Sequence, residues 1–168
     1  MVKIPYKLRK NQGDIIDRIR RNLDRKNHIV LEAPTGSGKT FTSLAATLPF
    51  AIKNDYKIVY CVRTNSQQEQ VITELNEFKK AGNPITAVAI QGRESMCPQQ
   101  DHDGELKKSN WSEKSKICKS LKLQSKMGEV GCKYFRKLQA NIGGISKTWL
   151  NKIQSAEDFV KSAKSQEI

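Results

Sequence analysis

The apolar positions of this chain follow two periods. Ile15, Ile16, Ile19 and Leu23 recur at helical spacing, with Arg18, Arg20, Arg21 and Arg25 on the opposite side. That spacing predicts an amphipathic helix with a solvated basic face. His28-Ile29-Val30-Leu31 and Lys57-Ile58-Val59-Tyr60-Cys61-Val62-Arg63 are near-continuous apolar runs, as expected of strands covered on both faces in a parallel sheet. Cys61 is expected there as a small core residue. Ile85-Thr86-Ala87-Val88-Ala89-Ile90 reads as a third strand. Two helical patterns separate the three. One runs from Thr42 to Lys53 with Leu44, Ala45, Leu48 and Ala51 on one face, and Pro49 is expected to bend it or end its regular part. The other opens on a capping box, Ser66-Gln67-Gln68-Glu69, and buries Val71, Ile72, Leu75 and Phe78. Strand, helix, strand, helix, strand predicts a doubly wound α/β domain on a parallel sheet.

At Gln91-Gly92-Arg93 the pattern changes. Beyond it no strand-like run remains, and the apolar residues are sparse and helix-spaced: Ile117, Leu121 and Leu123, then Tyr134, Phe135 and Leu138, then Phe159, Val160 and Ala163. Residues 1–92 therefore form one predicted domain and residues 93–168 a second, small and mainly helical. So few large apolar side chains do not offset the entropy of ordering such a segment, so a staple is expected.

Charge narrows the partners. Thirty Lys+Arg against seventeen Asp+Glu give a formal net charge of +13, spread over both parts: 15 basic and 8 acidic residues in 1–92, 15 and 9 in 93–168. Such an excess favours polyanions, most simply nucleic acid. No secretory leader and no apolar run of about 20 residues is present, so a soluble, intracellular chain with no membrane association is expected, cytoplasmic or, in a eukaryote, nuclear.

Between the first predicted strand and the next helix stands Ala33-Pro34-Thr35-Gly36-Ser37-Gly38-Lys39-Thr40. This is where a phosphate-binding loop belongs. The glycines bring backbone N–H groups close to phosphate oxygens, Lys39 reaches the β/γ-phosphates of ATP, and the Thr40 hydroxyl ligates a bridging Mg²⁺. The first position is Ala33 instead of Gly, which leaves the spacing intact. The alternative is a Gly/Ser turn that merely precedes a lysine.

Cys97, Cys118 and Cys132 lie in the second part, with 20 and 13 residues between them. Without secretory features a disulfide framework is not expected, which leaves metal ligation as the leading role. Paired Cys-x₂₋₄-Cys zinc spacing is absent. Zinc with His102 as a fourth ligand, an iron-sulfur cluster and three unrelated buried thiols all remain open at this point.

Taken together, Tyr6-x-x-Arg9-x-x-Gln12, Glu32 through Thr40, Tyr60-Cys61-Val62-Arg63-Thr64, Gly92-Arg93 before Cys97-Pro98, and Gly131-Cys132 resemble the N-terminal part of the XPD family of iron-sulfur DNA helicases, of which DinG-like enzymes are a branch. The resemblance spans nearly the whole chain. It implies a RecA-like first motor lobe of superfamily 2, interrupted by a 4Fe-4S domain. By it Gln12 contacts adenine with Arg9 and Tyr6 nearby, Arg63 and Thr64 touch the DNA backbone, and Cys97, Cys118 and Cys132 are three cluster ligands. It further implies ATP-dependent, 5′-to-3′ unwinding of single-stranded and forked DNA in repair.

The chain departs from that family in lacking an Asp-Glu-x-His sequence after a strand; Glu157-Asp158 falls in a helical pattern. The second lobe is absent too, and the family's fourth cluster cysteine would be expected just beyond Ile168. A fragment without ATP hydrolysis or unwinding of its own is therefore expected. Two other classes fit some of the residues: a non-motor P-loop ATPase with a metal site, and a zinc-stabilised nucleic-acid-binding module.

Overall fold

The computed structural model describes residues 2–101, 103–140 and 151–165. It divides into two compact units, Met1–Ile85 and Thr86–Ile168. The first contains three helices, α1 (Gln12–Asp24), α2 (Lys39–Asn54) and α3 (Asn65–Lys80). As the spacing predicts, Ile16 and Ile19 of α1 are buried together with Phe41, Leu44, Ala45 and Leu48 of α2 and Val71, Leu75 and Phe78 of α3. Phe41 and Phe78 stack with ring centroids 5.8 Å apart, and Phe78 is fully buried. Each such ring contributes roughly 2–3 kcal/mol through removal of its apolar surface from water.

Pro49 neither bends nor ends its helix, since α2 continues through it to Asn54. The cause lies in α1. A proline at position 49 cannot donate to the carbonyl of Ala45 one turn earlier, and its ring pushes that carbonyl aside. Arg20 Nη2 donates to the Ala45 carbonyl at 2.9 Å instead. Arg20 thus leaves the solvated face assigned to it from the sequence and replaces the missing helix donor.

The start of α3 also differs from the expected capping box at Ser66. Thr64 is the N-cap, its side chain accepting from Gln67 N at 3.3 Å, while Gln67 Oε1 accepts from Arg63 N at 3.1 Å. The hydroxyl cap is therefore made two residues earlier than expected, where the extended backbone at Thr64 aims it at the first turn, and Gln67 reaches back to Arg63 without closing a capping box.

Among the described residues neither His28–Leu31 nor Lys57–Arg63 forms a ladder. Exposure nevertheless alternates as in a strand: Val30 and Val59 are 98% and 84% exposed, while Ile29, Leu31, Ile58 and Tyr60 are 38–40% exposed. With no strand bonded beside it, Cys61 is exposed and not a core residue. The α/β expectation is thus met only as a helix-dominated fold with a small parallel sheet, because a strand is completed by its neighbour and not by its own sequence.

That sheet lies in the second unit. Part of the third predicted strand, β1 (Ala87–Val88), pairs in parallel with β2 (Ile153–Gln154), with Ala87 opposite Ile153 and Val88 opposite Gln154. No strand was expected so late in the chain. Around it are a 3₁₀ turn (Pro98–Asp101) and helices α4 (Gly104–Lys108), α5 (Trp111–Lys126), α6 (Lys133–Ala140) and α7 (Ala156–Ser165). Asn110 and Glu113 close a capping box at the start of α5. Leu106 is the buried anchor of α4, and Glu157-Asp158 occupies the first turn of α7. No described helix is long and apolar enough to cross a membrane.

Candidate nucleotide site and cysteine cavity

The loop Ala33–Gly38 feeds directly into α2, whose first residue is Lys39. Gly36 and Gly38 adopt φ of 80° and 81°, left-handed values that other L-residues reach only with strain. Ser37 N donates to Pro34 O at 3.3 Å and closes the turn. Lys39 Nζ donates to the carbonyls of Ala33 and Pro34, both at 2.8 Å, so the ammonium is held across the loop by its own backbone. Ser37 Oγ is buried without a hydrogen-bond partner. Thr40 sits in the first turn of α2, where unpaired helix N–H groups and the positive end of the dipole favour an anion.

The segment before α1 reaches the same loop. Asn11, in a left-handed conformation that asparagine tolerates, turns the chain so that Gln12 N donates to Arg9 O at 3.1 Å and Arg9 N to Gln12 Oε1 at 2.9 Å. From this turn Arg9 Nη1 donates to Gly36 O at 3.0 Å and Gln12 Nε2 to Ser37 O at 3.0 Å. Residues 9 and 12 thus converge on residues 36 and 37.

Tyr6 packs against Phe41 with centroids 5.3 Å apart, one residue beyond Thr40. Its hydroxyl donates toward the Glu74 carboxyl of α3, whose Oε2 is buried and has no hydrogen-bond partner. Burial, then the Glu74 and Glu77 charges, push the Tyr6 hydroxyl above its ordinary pKa. Burial likewise raises Glu74, and the Glu77 charge adds to this, while the tyrosine hydrogen bond opposes it. The sequence gives no local signal for Glu74, because it meets Tyr6 only when α3 is packed. Arg63 is exposed beside the Thr64 cap at the start of α3.

In the second unit Cys97 and Cys118 line one cavity of about 370 Å³, together with Arg93, Gln100 and Trp111. Burial raises the Cys97 thiol above its ordinary pKa. Backbone hydrogen bonds from Gln99 and Gln100 oppose the rise, and charge on Cys118 and Cys132 adds to it. The third cysteine is brought in by close packing: Cys132 N donates to Leu121 O of α5 at 3.3 Å, one turn beyond Cys118. Only glycine fits before it, since a Cβ at Gly131 would collide with the Leu121 carbonyl and the Ser125 side chain. Among the described residues no three His, Cys, Asp or Glu side chains stand close enough to hold a metal ion, and His102 lies outside the described residues.

The DEAD_2 family model matches residues 60–168, so the phosphate loop precedes the matched region. Several relatives carry the name regulator of telomere elongation helicase 1 homolog. The one from Caenorhabditis elegans is 30% identical over 95% of this chain and 18% of its own length, and the one from Arabidopsis thaliana is 28% identical over 82% and 16%. The general transcription and DNA repair factor IIH helicase subunit XPD of Arabidopsis thaliana is 30% identical over 57% of this chain and 14% of its own length. The chain spans less than a fifth of the length of these relatives. No solved structure matches it significantly.

Proposed function

The chain belongs to the DEAD_2 family, and from that premise we propose that it is the nucleotide-binding N-terminal part of an ATP-dependent DNA helicase of the XPD type. The observation that carries this proposal is the convergence of Arg9 and Gln12 on the carbonyls of Gly36 and Ser37. It joins the two sequence motifs that a motor ATPase uses for base and triphosphate. With MgATP bound, Lys39 exchanges the Ala33 and Pro34 carbonyls for the β/γ-phosphates, the loop amides and the start of α2 hold the phosphate oxygens, and the Thr40 hydroxyl ligates Mg²⁺. Gln12, Arg9 and Tyr6 bound the adenine side. Ala33, Pro34 and Thr35 shape the turn.

In this proposal Arg63 and the Thr64 end of α3 hold single-stranded or forked DNA by its phosphates, an interaction without sequence preference. The parent protein unwinds 5′ to 3′ in DNA repair, and the present chain, with no Asp-Glu-x-His sequence, binds nucleotide without turning it over. Cys97, Cys118 and Cys132 are proposed ligands of a 4Fe-4S cluster, around which they would have to draw closer together than they stand here, where no three such side chains among the described residues are near enough to hold a metal ion. Two of the thiols share a cavity wall and the third influences the first, and an all-sulfur donor set suits such a cluster. When bound it would act as the staple of a core-poor unit, with Gly131 and the Cys132 amide keeping the third thiol docked on α5.

Titration of the chain with MgATP tests the central claim. Wild type should bind, and Lys39→Ala should weaken binding by at least about tenfold, equivalent to roughly 1.4 kcal/mol. Equal affinity of the two would remove the phosphate-loop assignment.

A further inference from the structure

The segment Lys3–Arg9 carries Tyr6 and Arg9 to the phosphate loop, yet it has no regular secondary structure of its own. Something outside it must fix its path. At its far end stands Asn83, in the turn after α3, 5% exposed and 80 residues away in sequence. Its side-chain amide pairs with the backbone of Lys3 in both directions: Lys3 N donates to Oδ1 at 2.7 Å and Nδ2 donates to Lys3 O at 2.8 Å. The second hydrogen of Nδ2 goes to Phe78 O at 2.6 Å, at the end of α3. The amide thus imitates a neighbouring peptide group, and all its donors are used.

The other two supports of the strap come from the same direction. Phe78, whose carbonyl Asn83 holds, stacks on Phe41, and Phe41 carries the Tyr6 ring. Glu74, one helical turn before Phe78, lies close enough to the Tyr6 hydroxyl for the two groups to shift each other's pKa. The end of α3 therefore fixes the start of the strap, and the aromatic ladder fixes its middle. Its final turn is closed locally by Arg9 and Gln12.

We infer that Asn83 is a positioning residue for base recognition: by clamping the Lys3 backbone it holds Tyr6 and Arg9 against the nucleotide loop, so that the site distinguishes ATP from a bare triphosphate. This rests on the nucleotide-binding function proposed above. The Asn83 side chain bonds to Lys3 and Phe78, whereas Lys39 bonds to Ala33 and Pro34, so loss of Asn83 should spare the phosphate half of the site. As a residue, Asn83 is legible in the sequence only as the Asn-Pro stop after a helix.

The test compares the affinity of the 168-residue chain for MgATP with its affinity for inorganic triphosphate. Wild type should prefer ATP. Asn83→Ala removes both strap bonds and should weaken ATP binding about fivefold or more, the scale of one or two hydrogen bonds, while triphosphate affinity changes less than about twofold. Lys3→Pro removes only the main-chain N–H that Asn83 accepts, at the exposed edge, and should reproduce a smaller loss of the same selectivity without unfolding the helices. Parallel loss of both ligands in Lys3→Pro, or unchanged ATP affinity in both variants, would overturn the role of Asn83 alone. Failure of wild type to bind either ligand would instead overturn the nucleotide function, and this inference with it.

Discussion

Gln12 Nε2 donates to the carbonyl of Ser37 at 3.0 Å, and the same nitrogen would lie 2.6 Å from a Cβ placed on Gly38. The glutamine side chain therefore occupies the space that any other residue at position 38 would need. Two independent penalties fall on Gly38→Ala: a φ of 81° and a collision with Gln12. The first costs about 1–2 kcal/mol by itself. Gly38→Ala should abolish measurable MgATP binding. Adding Gln12→Ala should relieve the collision but not the backbone strain, so thermal stability of the double variant should rise only part of the way to wild type, as read by circular dichroism melting.

Arg20 and Pro49 form a compensating pair across α1 and α2. Arg20→Ala leaves the Ala45 carbonyl, in a fully buried residue, without a donor, at an expected cost of about 1–3 kcal/mol. Pro49→Ala restores the N–H that the helix lacks at this point. The cost of Arg20→Ala should therefore shrink in the Pro49→Ala background, and a double-mutant cycle by urea unfolding measures the difference. Strict additivity would mean that the arginine is not replacing the helix donor.

Glu74 makes stability depend on pH in a direction opposite to that of a salt-bridged carboxylate. Its native pKa is raised, chiefly by burial, so between the unfolded and native values the native state binds more protons than the unfolded chain. Stability contributed by the protonated form is present below the unfolded pKa, falls as pH rises through that window, and is lost above the raised value. Glu74→Gln removes the titration while keeping an acceptor for Tyr6. The variant should gain stability relative to wild type as pH rises from the ordinary carboxylate range toward neutrality, and chemical denaturation at a series of pH values reads the gain. A gain that grew with acidification would contradict the raised pKa.

For the cysteines, the parent protein purified without oxygen should be yellow-brown with broad visible absorption, and Cys118→Ser should remove the colour. Gly131→Ala, which forces Cys132 away from α5, should weaken it. Stoichiometric zinc without iron would replace the cluster by the zinc alternative. A binding readout in the absence of any cluster is also available: apo-protein of Gly131→Ala should expose Cys132 to faster alkylation than wild type.

The sequence by itself determined which faces of the helices are buried. The buried faces of α1, α2 and α3 follow from the recurrence of Ile16 and Ile19, Leu44 and Leu48, and Val71, Leu75 and Phe78, because a helix presents residues three and four apart on one side whatever it packs against. The loop residues Ala33–Gly38 are contiguous, and the left-handed conformations found at Gly36 and Gly38 are ones that glycine adopts without strain. The family was legible for the same reason, in the order of short motifs. Relationships between distant residues were decided by the tertiary structure alone. Arg20 finds Ala45, Tyr6 finds Glu74, Lys3 finds Asn83 and Ala87 finds Ile153 only once the helices and strands are packed. Strands belong to the same class: Ile58 to Val62 has the composition of a core strand, but a ladder needs a partner's N–H and C=O groups beside it, and composition does not supply them. That is why Cys61, expected inside, is exposed, and why two residues as unassuming as Ile153 and Gln154 make a sheet.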